Sequence, residues 1–133
     1  MNKKLIFFVD DEKTILNLLE YTFSSRDGYT VKSFTSGEEC LNHLHLGPAI
    51  VVVDHMLWTR GDSEMTGLDV LKEIRKEDSE TSVIVLAGIG DQDLSDEYYK
   101  NGATNYITKD SFFIDSLIEI IKSKFVQNSD VKS

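Results

Sequence analysis

A single α/β domain, built on a parallel sheet with helices on both faces, follows from three observations. Residues 5–9, 49–53 and 83–86 are apolar runs without polar alternation, the pattern of strands covered on both sides. Between and around them lie helix-period stretches and turns, giving five strands that alternate strictly with five helices. Such alternation calls for parallel strands joined by right-handed crossovers. Finally, the first two of these runs stop at carboxylates, Asp10-Asp11-Glu12 and Asp54, and the carboxyl ends of parallel strands are where such sheets place their ligands.

The elements follow in order. After the first strand, Ile15, Leu18, Leu19, Thr22 and Phe23 share one helical face, and Arg26-Asp27-Gly28 reads as a glycine C-cap. Residues 29–34 alternate and suit an edge strand. Ser36 with Glu39 forms a capping-box pattern for a helix with Leu41 and Leu44 inward, which Gly47-Pro48 ends. The run at 49–53 leads through Asp54 into a polar loop to residue 66. Gly67 opens a helix with Leu68, Leu71 and Ile74 inward. The strand at 83–86 runs into Ala87-Gly88, and a helix over 91–101, acidic at its start and thin on its inner face, ends at Gly102. That thin face predicts a weakly held element. Residues 104–108 form the last strand, and Phe113, Ile114, Leu117, Ile118, Ile121 and Phe125 stripe the last helix. The domain is expected to span 1–126, with 127–133 a polar tail.

Composition narrows the function. At 133 residues, with 41% hydrophobic and 28% charged residues, the chain has the make-up of one globular domain. A net charge of −9 argues against nucleic acid or an anionic membrane as partner. The lone cysteine, Cys40, forbids an internal disulfide and suits a reducing cytoplasm, with packing its expected role. No run approaches the ~18 apolar residues of a membrane span. Met-Asn-Lys-Lys leads into only five apolar residues before two aspartates, a strand start rather than a signal peptide.

In a parallel sheet the strand ends share one edge. Asp10 and Asp11, Asp54, Ala87 with Gly88, and Lys109 therefore meet around one crevice. Three ionised carboxylates need a cation, because like charges raise one another's pKa, and oxygen ligands with open positions suit Mg²⁺. Lys109 can hold an incoming anion as a point charge. A carboxylate nucleophile, a hard metal and a lysine together suit phosphoryl transfer to an aspartate. Taken one at a time, Asp54 could simply end its strand, Asp10 and Asp11 could cap a helix, and Lys109 could be a surface lysine.

Val9-Asp10-Asp11-Glu12, Val53-Asp54-His55-Met56, Gly102-Ala103 with Tyr106, and Lys109 stand in an order and spacing that resembles the receiver domains of response regulators in two-component signalling, over residues 4 to about 126. The resemblance implies the flavodoxin-like strand order 2-1-3-4-5, for which a receiver is a standard example. It implies Asp54 as phosphoacceptor, Asp10, Asp11 and Asp54 as Mg²⁺ carboxylates, and the Met56 backbone carbonyl as a further metal ligand. Lys109 and the Gly88 backbone would contact the phosphoryl group, with Ala87 and Tyr106 at the switch positions. The donor would be a histidine kinase or histidine phosphotransfer protein, and the recipient of the signal a downstream protein or an output domain beyond Ser133. Such a domain catalyses only its own phosphoryl transfer and dephosphorylation, in the cytoplasm.

Three departures stand out. Ala87 replaces the usual Ser or Thr, Asp110 stands where proline usually follows the lysine, and the loop from Asp54 to Gly67 is about five residues longer than usual, carrying Trp58 and Arg60. Without proline a cis bond after Lys109 is not expected, and Asp110 or Ser111 is expected to cap the last helix. The long loop at 57–66 is expected to control water access to the phosphosite. Because Ala87 lacks a hydroxyl, the sequence also admits a degenerate receiver that binds partners whatever its phosphorylation state. A Mg²⁺-dependent phosphatase is a further alternative, although its usual spacing of two aspartates separated by one residue is absent. His43, His45 and His55 show no ligand spacing and read as surface or loop residues.

Overall fold

A computed structural model describes residues 4–26, 28–57 and 64–131. The elements run β1 (Lys4–Val9), α1 (Lys13–Ser24), β2 (Tyr29–Phe34), α2 (Gly37–Asn42), a 3-10 turn (Leu44–Leu46), β3 (Ile50–Asp54), α3 (Gly67–Glu77), β4 (Ser82–Ala87), α4 (Ser95–Lys100), β5 (Asn105–Thr108) and α5 (Phe113–Val131). All pairings are parallel and the strand order is β2-β1-β3-β4-β5. The continuous apolar runs occupy the centre. Alternating β2 takes one edge, where burying only every second residue is enough.

The period-2 geometry of strands divides the core cleanly. Phe7, Val9, Val51, Val53, Val83 and Val85 face α2, α3 and α4, meeting Cys40, Val70, Leu71, Ile74 and Tyr98. Ile6, Phe8, Ile50, Val52, Ile84 and Leu86 face the other way, against Leu16, Leu19 and Phe23 of α1 and Leu117 and Ile121 of α5. Every residue of Val51–Val53 is therefore buried, and each fully buried apolar side chain of this size contributes roughly 1.5–3 kcal/mol.

Local chemistry sets the helix ends. Ser36 Oγ accepts from Glu39 N at 3.1 Å, the expected cap of α2, but that helix stops at Asn42 and Leu44 is buried from the following 3-10 turn. α1 ends earlier than its glycine suggests: Ser25 is the C-cap, and Gly28 takes φ +98° in the turn to β2. At α3, Thr66 and Asp69 form a reciprocal capping box, which the sequence reading overlooks because Asp stands in the Glu/Gln position.

The helix expected over 91–101 is shorter. Two acids before it serve turns instead: the Asp91 carboxylate accepts from Gly88 N at 3.0 Å and that of Asp93 from Ser95 N at 2.9 Å. Thr104 precedes β5 but still bonds β4, with its N–H on the Val83 carbonyl (2.8 Å) and its hydroxyl accepting from Val83 N (3.0 Å). There is no cis peptide among the described residues, and the Asp110 carboxylate accepts from Phe112 N at 2.8 Å just before α5. α5 runs on to Val131, into the stretch read as a tail. Trp58 and Arg60 lie outside the described residues, as does most of the long loop. Leu57, at its start, is fully buried.

Candidate functional site

Asp54 is the last residue of β3 and pairs with Leu86 of β4. Asp10 directly follows β1, held to the sheet by its N–H on the Phe34 carbonyl at 3.1 Å. Lys109 directly follows β5, and its N–H reaches the Ala87 carbonyl at 2.7 Å. The sheet therefore delivers three side chains to one edge by backbone pairing alone. The carboxylates of Asp10, Asp11 and Asp54 each offer an oxygen within 4.8 Å of the others. All three are buried, at 1%, 3% and 5% exposure, far from the ordinary surface position of aspartate.

Lys109 Nζ lies 3.0 Å from Asp10 Oδ2 and 3.2 Å from Asp54 Oδ2. Asp10 uses its other oxygen to accept from Glu12 N at 2.9 Å. This bond fixes the turn into α1 but does not cap the helix, whose N-cap is Glu12 without a side-chain cap bond. One ammonium cannot balance this cluster. Burial and then the Asp10 charge push Asp54 up to about 7, against the pull of Lys109 and of a hydrogen bond from the Met56 backbone. Burial likewise raises Asp10, again opposed by Lys109. Burial would lower Lys109, but Asp54 and Asp10 outweigh it and hold the ammonium more strongly charged. A divalent cation among these oxygens would remove the repulsion, so the donor set fits a hard metal ion.

A cleft of about 230 Å³ opens onto this cluster, lined by Asp11, Glu12, Asp54, Met56, Gly88, Asp91 and Lys109. Met56 and Gly88 are thus at the site, but the Gly88 N–H is already taken by the Asp91 carboxylate. Asp91 was not among the residues singled out from sequence. Ala87, 3% exposed, ends β4 beside the cleft without a hydroxyl. Tyr106 is half-buried, its ring 5.6 Å from that of Tyr98 and its hydroxyl accepting from Leu94 N at 3.2 Å.

Two histidines keep to the surface or loop reading. His43 packs on Phe34 with ring centroids 5.0 Å apart, and His45 is exposed. His55 does more than that reading allowed: its Nδ1 lies 2.5 Å from the hydroxyl of Tyr98, which is fully buried in α4. Cys40 is buried, and burial pushes its thiol up to about 12, as a packing residue requires. Among the described residues no helix is long and apolar enough to cross a membrane.

Known proteins of similar sequence and fold point to one family. The family model described as the response regulator receiver domain matches residues 6–122. A probable transcriptional regulator ycf27 of Guillardia theta is 36% identical over 108 residues, covering 80% of this chain and 40% of that protein. The alkaline phosphatase synthesis transcriptional regulatory protein PhoP of Bacillus subtilis (strain 168) is 32% identical over 110 residues, covering 82% of this chain and 43% of that protein. The chain thus spans less than half the length of these two relatives. Among solved structures, the receiver domain of NtrX from Brucella abortus is similar with TM-score 0.77 and 28% identity, covering 89% of this chain and 95% of that one. A CheY-like receiver domain protein from Methanospirillum hungatei JF-1 gives TM-score 0.82 at 25% identity, covering 97% and 98%. With the family model matched over residues 6–122 and five parallel strands in the order β2-β1-β3-β4-β5, the chain belongs to the response regulator receiver domain family of two-component signalling.

Proposed function

We propose that this domain accepts a phosphoryl group on Asp54 from a phosphohistidine of a kinase or phosphotransfer protein, with Mg²⁺ bound, in the cytoplasm. The observation that carries the reading is the bridge of Lys109 Nζ to both Asp10 and Asp54 within a cluster of three buried carboxylates. Asp10, Asp11 and Asp54, with the Met56 carbonyl, would hold the ion, which when bound would supply positive charge to the phosphoryl oxygens.

The chain's own residues do the rest. A carboxylate oxygen of Asp54 attacks phosphorus; a P–O bond forms as the P–N bond of the donor breaks, and the departing imidazole keeps the electron pair. Lys109 exchanges its pairing with Asp54 for one with a phosphoryl oxygen, retaining Asp10 as its anchor. Dephosphorylation is the reverse in outcome: water attacks phosphorus, and Asp54 regains its carboxylate. No separate substrate is turned over. The signal passes to a downstream protein or to an output domain joined to the receiver.

Intact mass after treatment with acetyl phosphate is expected to rise by one phosphoryl group with Mg²⁺, and not with EDTA or in Asp54→Asn. A label that persists in Asp54→Asn would remove the central claim. Ala87 favours a second reading, a receiver that binds partners independently of phosphate. At this position no hydroxyl meets the phosphoryl group, and Tyr106 is already hydrogen-bonded to Leu94 N. Equal partner affinity with and without phosphorylation would select that reading.

A further inference from the structure

Four observations converge on α4. Tyr98 is its one buried residue among the six from Ser95 to Lys100, so the helix is held to the sheet chiefly through this side chain. The Tyr98 hydroxyl lies 2.5 Å from Nδ1 of His55, donating or accepting according to the imidazole tautomer, with the rings edge-on at 5.6 Å. His55 is the residue after Asp54, and its backbone is fixed on both sides: its N–H bonds the Leu86 carbonyl at 2.9 Å and its carbonyl accepts from Gly67 N at 2.9 Å. On its other side Tyr98 meets the ring of Tyr106, whose hydroxyl holds the N–H of Leu94 at the start of α4.

Close approach preserves this arrangement. A Cβ at Gly67 would come within 2.7 Å of the Asp54 carbonyl and 2.9 Å of the Tyr98 hydroxyl, so only glycine lets α3 begin against the end of β3 beneath the tyrosine. The segment 54–55 is therefore clamped between β4, α3 and α4. The part-buried hydrogen bond between His55 and Tyr98 therefore joins the residue after Asp54 to α4.

We propose that Tyr98 and His55 form the link that reports occupancy of Asp54 to α4, in place of the hydroxyl that Ala87 lacks. The proposal rests on the receiver reading and extends it to the route of the signal. Tyr98 is a positioning residue here: it touches no reacting atom, but it sets where α4 lies for each state of Asp54. Coupling of this kind is reciprocal, so loss of the link changes both the response of α4 and the affinity at Asp54 by the same factor.

The test uses the full chain, labelled with ¹⁵N, with Mg²⁺ and beryllofluoride as the phosphoryl mimic. In the parent, amide shifts are expected both at 53–55 and across 95–100. Tyr98→Phe keeps the ring and is expected to retain the shifts at 53–55 while losing most of those at 95–100. His55→Leu breaks the same bond from the half-buried side and should give the same loss, and the double variant no further loss. A merely structural tyrosine would lower stability while leaving the ratio of the two sets of shifts unchanged. A full α4 response in Tyr98→Phe, or additive losses in the double variant, overturns the link. Absence of shifts at 53–55 in the parent overturns the receiver reading, and the link with it.

Discussion

The acid cluster sets function against stability, and the conflict can be measured by replacing Asp54 with Asn. Its carboxyl rises from 3.8 to about 7 in the folded chain, chiefly through burial and the Asp10 charge. That rise corresponds to about 4 kcal/mol between the two protonation states. Because the raised group is an acid, the folded state binds a proton that the unfolded state lacks between pH 3.8 and about 7. Unfolding free energy from this group therefore falls as pH climbs through that window, and the whole cost is present above it. In EDTA at pH 8, Asp54→Asn is expected to be more stable than the parent by up to about 4 kcal/mol. At pH 5, where the folded carboxyl is protonated but the unfolded one is ionised, the difference should fall to about 1.6 kcal/mol, and it should approach zero only below pH 3.8. Urea unfolding reads this directly: with a slope of about 1–3 kcal/mol per molar, the midpoint at pH 8 moves by more than about 1 M. Mg²⁺ should then stabilise the parent, by about 2.7 kcal/mol at a hundredfold excess over its Kd, and the variant far less. If Asp54→Asn is no more stable than the parent at pH 8 in EDTA, burial and repulsion from Asp10 do not destabilise the ionised carboxylate.

Three further outcomes are expected. Ala87→Thr supplies a hydroxyl beside the cleft; one charge-assisted hydrogen bond to a phosphoryl oxygen is worth roughly 1.5–3 kcal/mol, so NMR shifts on adding beryllofluoride should be larger than in the parent. A parent that already shows a full shift over 95–100 and 113–125 would show that position 87 is not the weak point. Asp91→Ala frees the Gly88 N–H from the carboxylate that now occupies it at 3.0 Å and removes a negative charge from the cleft, so phosphorylation by acetyl phosphate should be faster by several-fold; an equal or slower rate would leave Asp91 without a role at the site. Cys40, fully buried with its thiol pushed up to about 12, should resist a thiol reagent in native buffer and react stoichiometrically in urea, and rapid native labelling would contradict its place in the core.

What the sequence made legible and what it concealed differ in a physical way. Central strands such as Ile50–Asp54 announce themselves because burial on both faces forbids polar residues, so the apolar run and its end are written in consecutive positions. Parallel topology then places every strand end on one edge, which is why Asp10, Asp54 and Lys109 could be grouped although Lys109 pairs with Asp10 across 99 positions. The misses were of another kind. The start of α4 was misplaced because Asp91 and Asp93 can serve a helix N-terminus or a turn equally well, and only the tertiary position of the Gly88 and Ser95 N–H groups decides. His55 and Tyr98 lie 43 positions apart on a loop and a helix, and neither carries a local pattern that points to the other. Tyr98 faces inward on α4, and an inward tyrosine brings a hydroxyl that must find a partner when buried. In a doubly wound sheet α4 lies against the strand ends, and the residue after Asp54 supplies that partner. A buried polar atom is thus the one feature of an apolar face that carries long-range information, because its partner must lie within about 3 Å wherever the chain has placed it.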